Sequence, residues 1–195
     1  PFSHVHTTAS NQPEKQYAGC PWGGRAFQNT TRRGKFGDAL AETDAIVAEV
    51  VAKLDALGLS KNTLILFTGD NGPWLVQGAS GGSSGLLSGR FSGYWNTGKG
   101  STWEGGIREA GFAHWPGVIS PMSRSAEVVS SLDVFPTVAE LAGAPLPAAP
   151  LDGRSMVPIL LKESQSQHDI LFFYAIKADD GTGLYAPIAA RHGPF

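Results

Sequence analysis

Apolar residues recur at threes and fours from residue 38 onward. Leu40, Val47, Val50, Val51, Leu54 and Leu57 fall on one face of a helix. Asp38 is placed to cap its N-terminus, with Glu42 in the first turn, and Gly58 is placed to stop it, so the pattern predicts a helix over 38–57. After a turn at 60–62, Thr63, Leu64, Ile65, Leu66, Phe67 and Thr68 run on without alternation. That predicts a strand buried on both faces, as in a parallel sheet covered by helices. Helix, short turn and buried strand together indicate the α/β class. Gly69, Asp70, Asn71, Gly72 and Pro73 follow at the strand's carboxyl end, where open α/β sheets bind ligands.

The remaining pattern is less regular. Residues 1–35 are polar and read as loop. Residues 74–106 are rich in Gly and Ser but carry Trp74, Phe91, Tyr94, Trp95 and Trp103. A solvated linker would not hold so many aromatics, so a structured loop packed over a site is expected. A second short strand is predicted at 110–115. A helix is predicted within 132–143, capped by Asp133, with Val134, Val138, Leu141 and Ala142 on one face and Pro136 in its first turn. A short helix in 151–162 and strands at 171–174 and 185–190 complete the reading. The polar stretch 163–169 sets a boundary: 1–165 belongs to a main domain, and 166–195 begins a smaller subdomain.

Composition narrows the classes. The chain has 195 residues, 42% apolar and 16% charged, with 25 glycines. That is room for one sizeable core or one domain with an appendage. A net charge of −2 gives no electrostatic case for nucleic acid. No apolar run reaches the length of a membrane span. The first residue, Pro1, is neither an initiator methionine nor the start of a signal peptide, so the chain is expected to begin inside a longer protein. Cys20 is the single cysteine, which excludes an internal disulfide. Nothing local points to a lowered thiol pKa, so Cys20 reads as structural or incidental. Asn29, Thr30 and Thr31 form a glycosylation sequon.

Three features carry candidate chemistry. Asp70 and Asn71 offer a charged and a neutral oxygen on a tight, glycine-flanked turn, a pairing that suits calcium or magnesium. The same residues also make an ordinary Asx turn. His4 and His6 would share a face in an extended segment and can serve as acids, anion donors or metal ligands. Lys99 stands between Gly98 and Gly100, a bare backbone that lets a lysine approach an anion.

The segment 67–73, Phe-Thr-Gly-Asp-Asn-Gly-Pro, resembles the sulfatase family, and the arylsulfatases in particular. Further matches keep the family's order: Ser3-His4-Val5-His6-Thr7, then Phe36-Gly37-Asp38 with Asp44, then 98–108 (Gly-Lys-Gly-Ser-Thr-Trp-Glu-Gly-Gly-Ile-Arg). Trp115-Pro116-Gly117, the stretch 131–137 and Leu151-Asp152-Gly153 continue the series. The resemblance covers most of the chain. It implies an alkaline-phosphatase-like sheet, mixed and mostly parallel, sandwiched by helices. It also implies hydrolysis of sulfate esters by a formylglycine made from cysteine, with calcium polarising the sulfate oxygens.

Carried over by motif, Asp70 and Asn71 would be calcium ligands, and Lys99 would contact the sulfate. His6 would donate to the departing ester oxygen, with His4 less central. The resemblance further implies a small-molecule or glycan sulfate ester as substrate, a lysosomal or secreted location, and room for a homo-oligomer. The family's Cys-x-Pro-Ser-Arg segment does not occur; Cys20-Pro21-Trp22 has its proline out of place. The nucleophile and the other metal aspartates are therefore expected in sequence before Pro1, and the 195 residues alone are expected to be inactive. Two other readings remain: a phosphoester or phosphonate hydrolase of the same superfamily, and a non-catalytic relative that binds ligands or partners.

Overall fold

A computed structural model describes residues 25–27, 29–91, 97–162, 168–174 and 187–193. His4, His6, Cys20, Tyr94, Trp95 and most of the 163–169 boundary lie outside these residues. The chain divides into two units, Pro1–Phe112 and Ala113–Phe195.

In the first unit, helix α1 runs Gly34–Ala56, one turn earlier than the sequence predicts. Asp38 is therefore not its cap but a buried residue inside its first turns. The carboxylate reaches back to the preceding loop instead. It accepts hydrogen bonds from the Asn29 N–H (2.8 Å), the Thr31 N–H (3.0 Å) and the Thr31 hydroxyl (3.0 Å). Three donors converging on one carboxylate outweigh the preference for a capping position. Burial pushes the Asp38 carboxyl up, but these bonds prevail and hold it below the usual carboxylate range.

The other end of α1 is as predicted. Gly58 takes φ +67°, its N–H donates to Asp55 O, and the Leu59 N–H donates to Leu54 O. These paired bonds form a Schellman ending, which needs a left-handed residue and so favours glycine.

Strand β1 covers Ile65–Thr68 and lies beside β2, Gly111–His114. The Phe67 and Phe112 rings stand 5.6 Å apart. The expected burial of both strand faces is not met: Ile65, Leu66 and Phe67 are half-buried and Thr68 is exposed. A two-stranded sheet among the described residues offers too little cover. The described part of the Gly/Ser-rich stretch is structured, with tight 3-10 turns at Leu75–Ser80 and Gly85–Phe91. The Phe36 ring of α1 lies against Gly82, close to Pro73, and so fastens this stretch to the helix.

In the second unit, a 3-10 turn at Ser131–Asp133 leads into α3, Val134–Leu141. Asp133 does not cap α3 with its side chain. Ser130 caps the turn, and Asp133 closes the reciprocal bond to the Ser130 N–H at 2.7 Å. Asp133 also accepts from the Arg154 N–H (2.7 Å) and pairs with His168 Nε2 (2.7 Å). Thr137 donates to Asp133 O (2.6 Å) and accepts from the Met156 N–H (2.7 Å). Helix α4 follows at Val157–Leu160. Strands β3, Ile170–Tyr174, and β4, Pro187–His192, pair antiparallel with Phe172 opposite Ala190.

Few apolar residues are buried. Among the described residues they are Ala39 in the first unit and Ala139 and Met156 in the second. Phe135 and Val138 on α3, and Phe172 and Tyr174 on β3, remain exposed.

Candidate functional site

The site is built from two loops of the first unit. The first, 69–75, leaves the end of β1; the second, 97–106, leads into α2, Glu104–Ile107. Two backbone hydrogen bonds stitch them together. The Gly72 N–H donates to Gly106 O at 3.0 Å, and the Lys99 N–H donates to Pro73 O at 2.9 Å. Glycine is required at both crossings: a Cβ at Gly72 would strike the Gly105 carbonyl, and one at Gly98 would strike Pro73 O and the Leu75 side chain. Ser101 holds the second loop in shape by donating from its hydroxyl to Gly98 O at 2.7 Å.

This stitching brings Asp70, Asn71 and Lys99 onto adjoining loops. Asp70 is exposed and Asn71 half-buried. The Asn71 Nδ2 donates to Gly72 O at 3.0 Å, so its amide oxygen is the atom left to accept or to ligate. A carboxylate and an amide oxygen on consecutive residues are hard donors of the kind calcium takes. They fit part of a calcium set. Among the described residues, no group of three or more His, Cys, Asp or Glu gathers around them.

The Lys99 Nζ lies 5.7 Å from the centre of the Trp74 ring, within cation–π range. Glu109 packs its carboxyl against Gly69, directly before Asp70. Burial, and then the neighbouring charge of Asp70, raises the Glu109 carboxyl above its usual range. The adjacent Arg108 is engaged elsewhere, with Glu104 at 3.2 Å.

Sequence reasoning overlooked Glu109 and gave Trp74 no role beyond that of a loop aromatic. An acid next to a conspicuous Gly-Gly-Ile-Arg run, and a tryptophan directly after Gly72-Pro73, were the available signals. Asn29 sits ahead of α1, exposed, with φ +58° and its N–H bound to Asp38. His6 lies outside the described residues, so no geometry relates it to Lys99.

The model of the sulfatase family matches residues 1–144. The chain belongs to the sulfatase family. It is 45% identical over 163 residues to arylsulfatase A of Homo sapiens, covering 84% of this chain and 30% of that protein. It is 43% identical over 175 residues to the steryl-sulfatase of Rattus norvegicus, covering 89% of this chain and 28% of that one. Among solved structures it resembles the PsFucS1 sulfatase from Pseudoalteromonas sp. The TM-score there is 0.62 and the identity 34%, over 71% of this chain and 26% of the other. The fold is therefore the α/β, alkaline-phosphatase-like fold of sulfatases. This chain spans about 30% of the length of such curated relatives.

Proposed function

We propose that this chain forms part of a sulfuric ester hydrolase of the arylsulfatase type. The observation that carries this reading is the double stitch between the loops 69–75 and 97–106. It bonds the loop that carries an oxygen-donor pair, Asp70 and Asn71, to the loop that carries a lysine, Lys99, which supports this reading. A divalent cation and an ammonium on adjoining loops are what a sulfate group requires from its binding site. Family membership and the sulfatase names of its relatives support the same reading.

In this proposal Asp70 and Asn71 hold calcium, Lys99 binds the sulfate, and His6 donates a proton to the departing ester oxygen. Calcium, when bound, supplies Lewis-acid polarisation of the sulfate, and formylglycine supplies the nucleophile. Two ligands fall short of the roughly six to eight oxygens calcium takes, so the 195 residues by themselves are expected to show no turnover.

The substrate is a small-molecule or glycan sulfate ester. The protein travels the secretory pathway to a lysosomal or extracellular destination and carries a glycan on Asn29. Residues 1–165 form part of the catalytic domain and 166–195 the start of a smaller subdomain. No helix among the described residues is long and apolar enough to cross a membrane.

The test is Asp70→Ala in the intact protein, assayed on an aryl sulfate and by calcium calorimetry. Loss of both turnover and calcium affinity is expected. Retention of either one would remove Asp70 from the metal site and break the reading. Peptide mass spectrometry of secreted protein checks the glycan, and an unmodified Asn29 would count against the secretory assignment alone.

A further inference from the structure

Lys99 stands between two glycines, so its own backbone has little to hold it. Gly98 and Gly100 open the approach to an anion and at the same time leave the root of the lysine loose. Bonds from neighbouring residues supply what the glycines lack. The Ser101 N–H donates to Gly98 O at 3.1 Å, Gly100 takes φ +83°, and Lys99 keeps a negative φ. Together these features define a type II turn over 98–101, with Lys99 at its first corner. Ser101 grips the turn a second time, because its hydroxyl donates to the same Gly98 O at 2.7 Å. The Lys99 N–H, donating to Pro73 O at 2.9 Å, ties that corner to the other loop. A Cβ on Gly106 of α2 would strike Gly98 O and the Ser101 hydroxyl, so α2 backs the turn at the point where Ser101 closes it.

We propose that Ser101 is a positioning residue for Lys99: its hydroxyl locks the 98–101 turn and so fixes where the lysine side chain leaves the backbone. A four-carbon stem amplifies any movement of its root, so an ammonium that must meet a sulfate needs a rigid turn beneath it. The proposal rests on the assignment of Lys99 as a sulfate contact. Ser101 acts through the lysine and needs no contact with the substrate.

The test uses the intact protein and three readouts: kcat/KM on an aryl sulfate, competitive inhibition by inorganic sulfate, and calcium affinity by calorimetry. Ser101→Ala removes the second grip and is expected to lower kcat/KM and to weaken sulfate inhibition, each by about two- to tenfold, the worth of one hydrogen bond. Gly100→Ala loosens the turn by another route. A Cβ there meets nothing within 4 Å, so the only penalty is the left-handed φ. It is expected to act in the same direction, and calcium affinity should stay unchanged in both variants. In a Lys99→Met background neither substitution should have a further effect on either sulfate readout.

Unchanged sulfate readouts in Ser101→Ala, or losses of equal factor with and without Lys99, would overturn the proposal. So would a matching fall in calcium affinity, because Ser101 would then act through Gly106 on the loop of Asp70 and Asn71. If Lys99→Met itself leaves both sulfate readouts unchanged, the sulfate-contact assignment fails and the proposal falls with it. Should Ser101→Ala not fold, Gly100→Ala decides on the same criteria.

Discussion

Asp70 and Asp133 are both aspartates at the edge of a helix or strand, in short motifs shared with the same family, and they meet opposite fates. Asp133 is almost wholly buried, and its carboxylate is consumed by the Ser130 N–H, the Arg154 N–H and His168. Both of its oxygens are engaged, Oδ1 by Arg154 and His168 and Oδ2 by Ser130. Asp70 is exposed, follows directly on the strand end, and has a second acid, Glu109, close enough to be raised by its charge. One carboxylate holds a loop, a helix start and a histidine together; the other is the one proposed above to take a cation. The contrast shows that residue type and motif membership do not separate a buried, fully engaged aspartate from an exposed one. Burial and hydrogen-bond satisfaction do.

The contrast can be broken most sharply at Lys99, the proposed sulfate contact. Lys99→Ala is expected to cut sulfate-ester turnover by about 10²–10³-fold, as loss of a preorganised anion donor does. Its urea midpoint should stay where it was. A midpoint that falls along with activity would place Lys99 with Asp133 as a structural residue.

On the structural side, Asp133→Ala removes the carboxylate that the Ser130 and Arg154 N–H groups and His168 share. It should cost about 3–5 kcal/mol in chemical denaturation. Asp70→Ala in the same assay, without calcium, should shift stability by no more than about 0.5 kcal/mol. Comparable losses from the two would abolish the distinction. Thr137→Val tests the second shared oxygen of the same network. It leaves the Met156 N–H without the hydroxyl that now accepts it and should cost about 1–3 kcal/mol.

Asp38 lies between these extremes and sharpens the comparison through pH. Its folded pKa is depressed below 3.8, so its contribution to stability is fully present above that value. It is lost as pH falls through the lower, folded value. Thermal melts at falling pH should therefore show an acid-side loss that Asp38→Asn reduces. An unchanged acid limb would mean that the bonds from Asn29 and Thr31 contribute nothing.

Much of this was legible in the chain. The α1 periodicity, the Gly58 ending, the short strand before Asp70 and the aromatic content of 74–106 each depend on neighbours within a few residues, and local sequence fixes such features. The two capping errors had a common cause. Asp38 and Asp133 both looked like side-chain caps, because each stands at the start of an apolar periodicity. Asp38 instead binds residues seven and nine positions earlier, and Asp133 binds a residue twenty-one positions later. Those partners are set by chain reversal, which no local pattern encodes.

The sequence by itself determined which residues could do chemistry: a hard oxygen pair, a lysine between glycines, and their order within a family pattern. Only the tertiary structure decided that the loop carrying Asp70 and Asn71 is bonded to the loop carrying Lys99, and that Asp133 spends its carboxylate on neighbours in its own unit. Glycines at 72 and 98 let two backbones approach within hydrogen-bonding distance. That approach joins groups nearly thirty residues apart, and it depends on packing in three dimensions rather than on spacing along the chain.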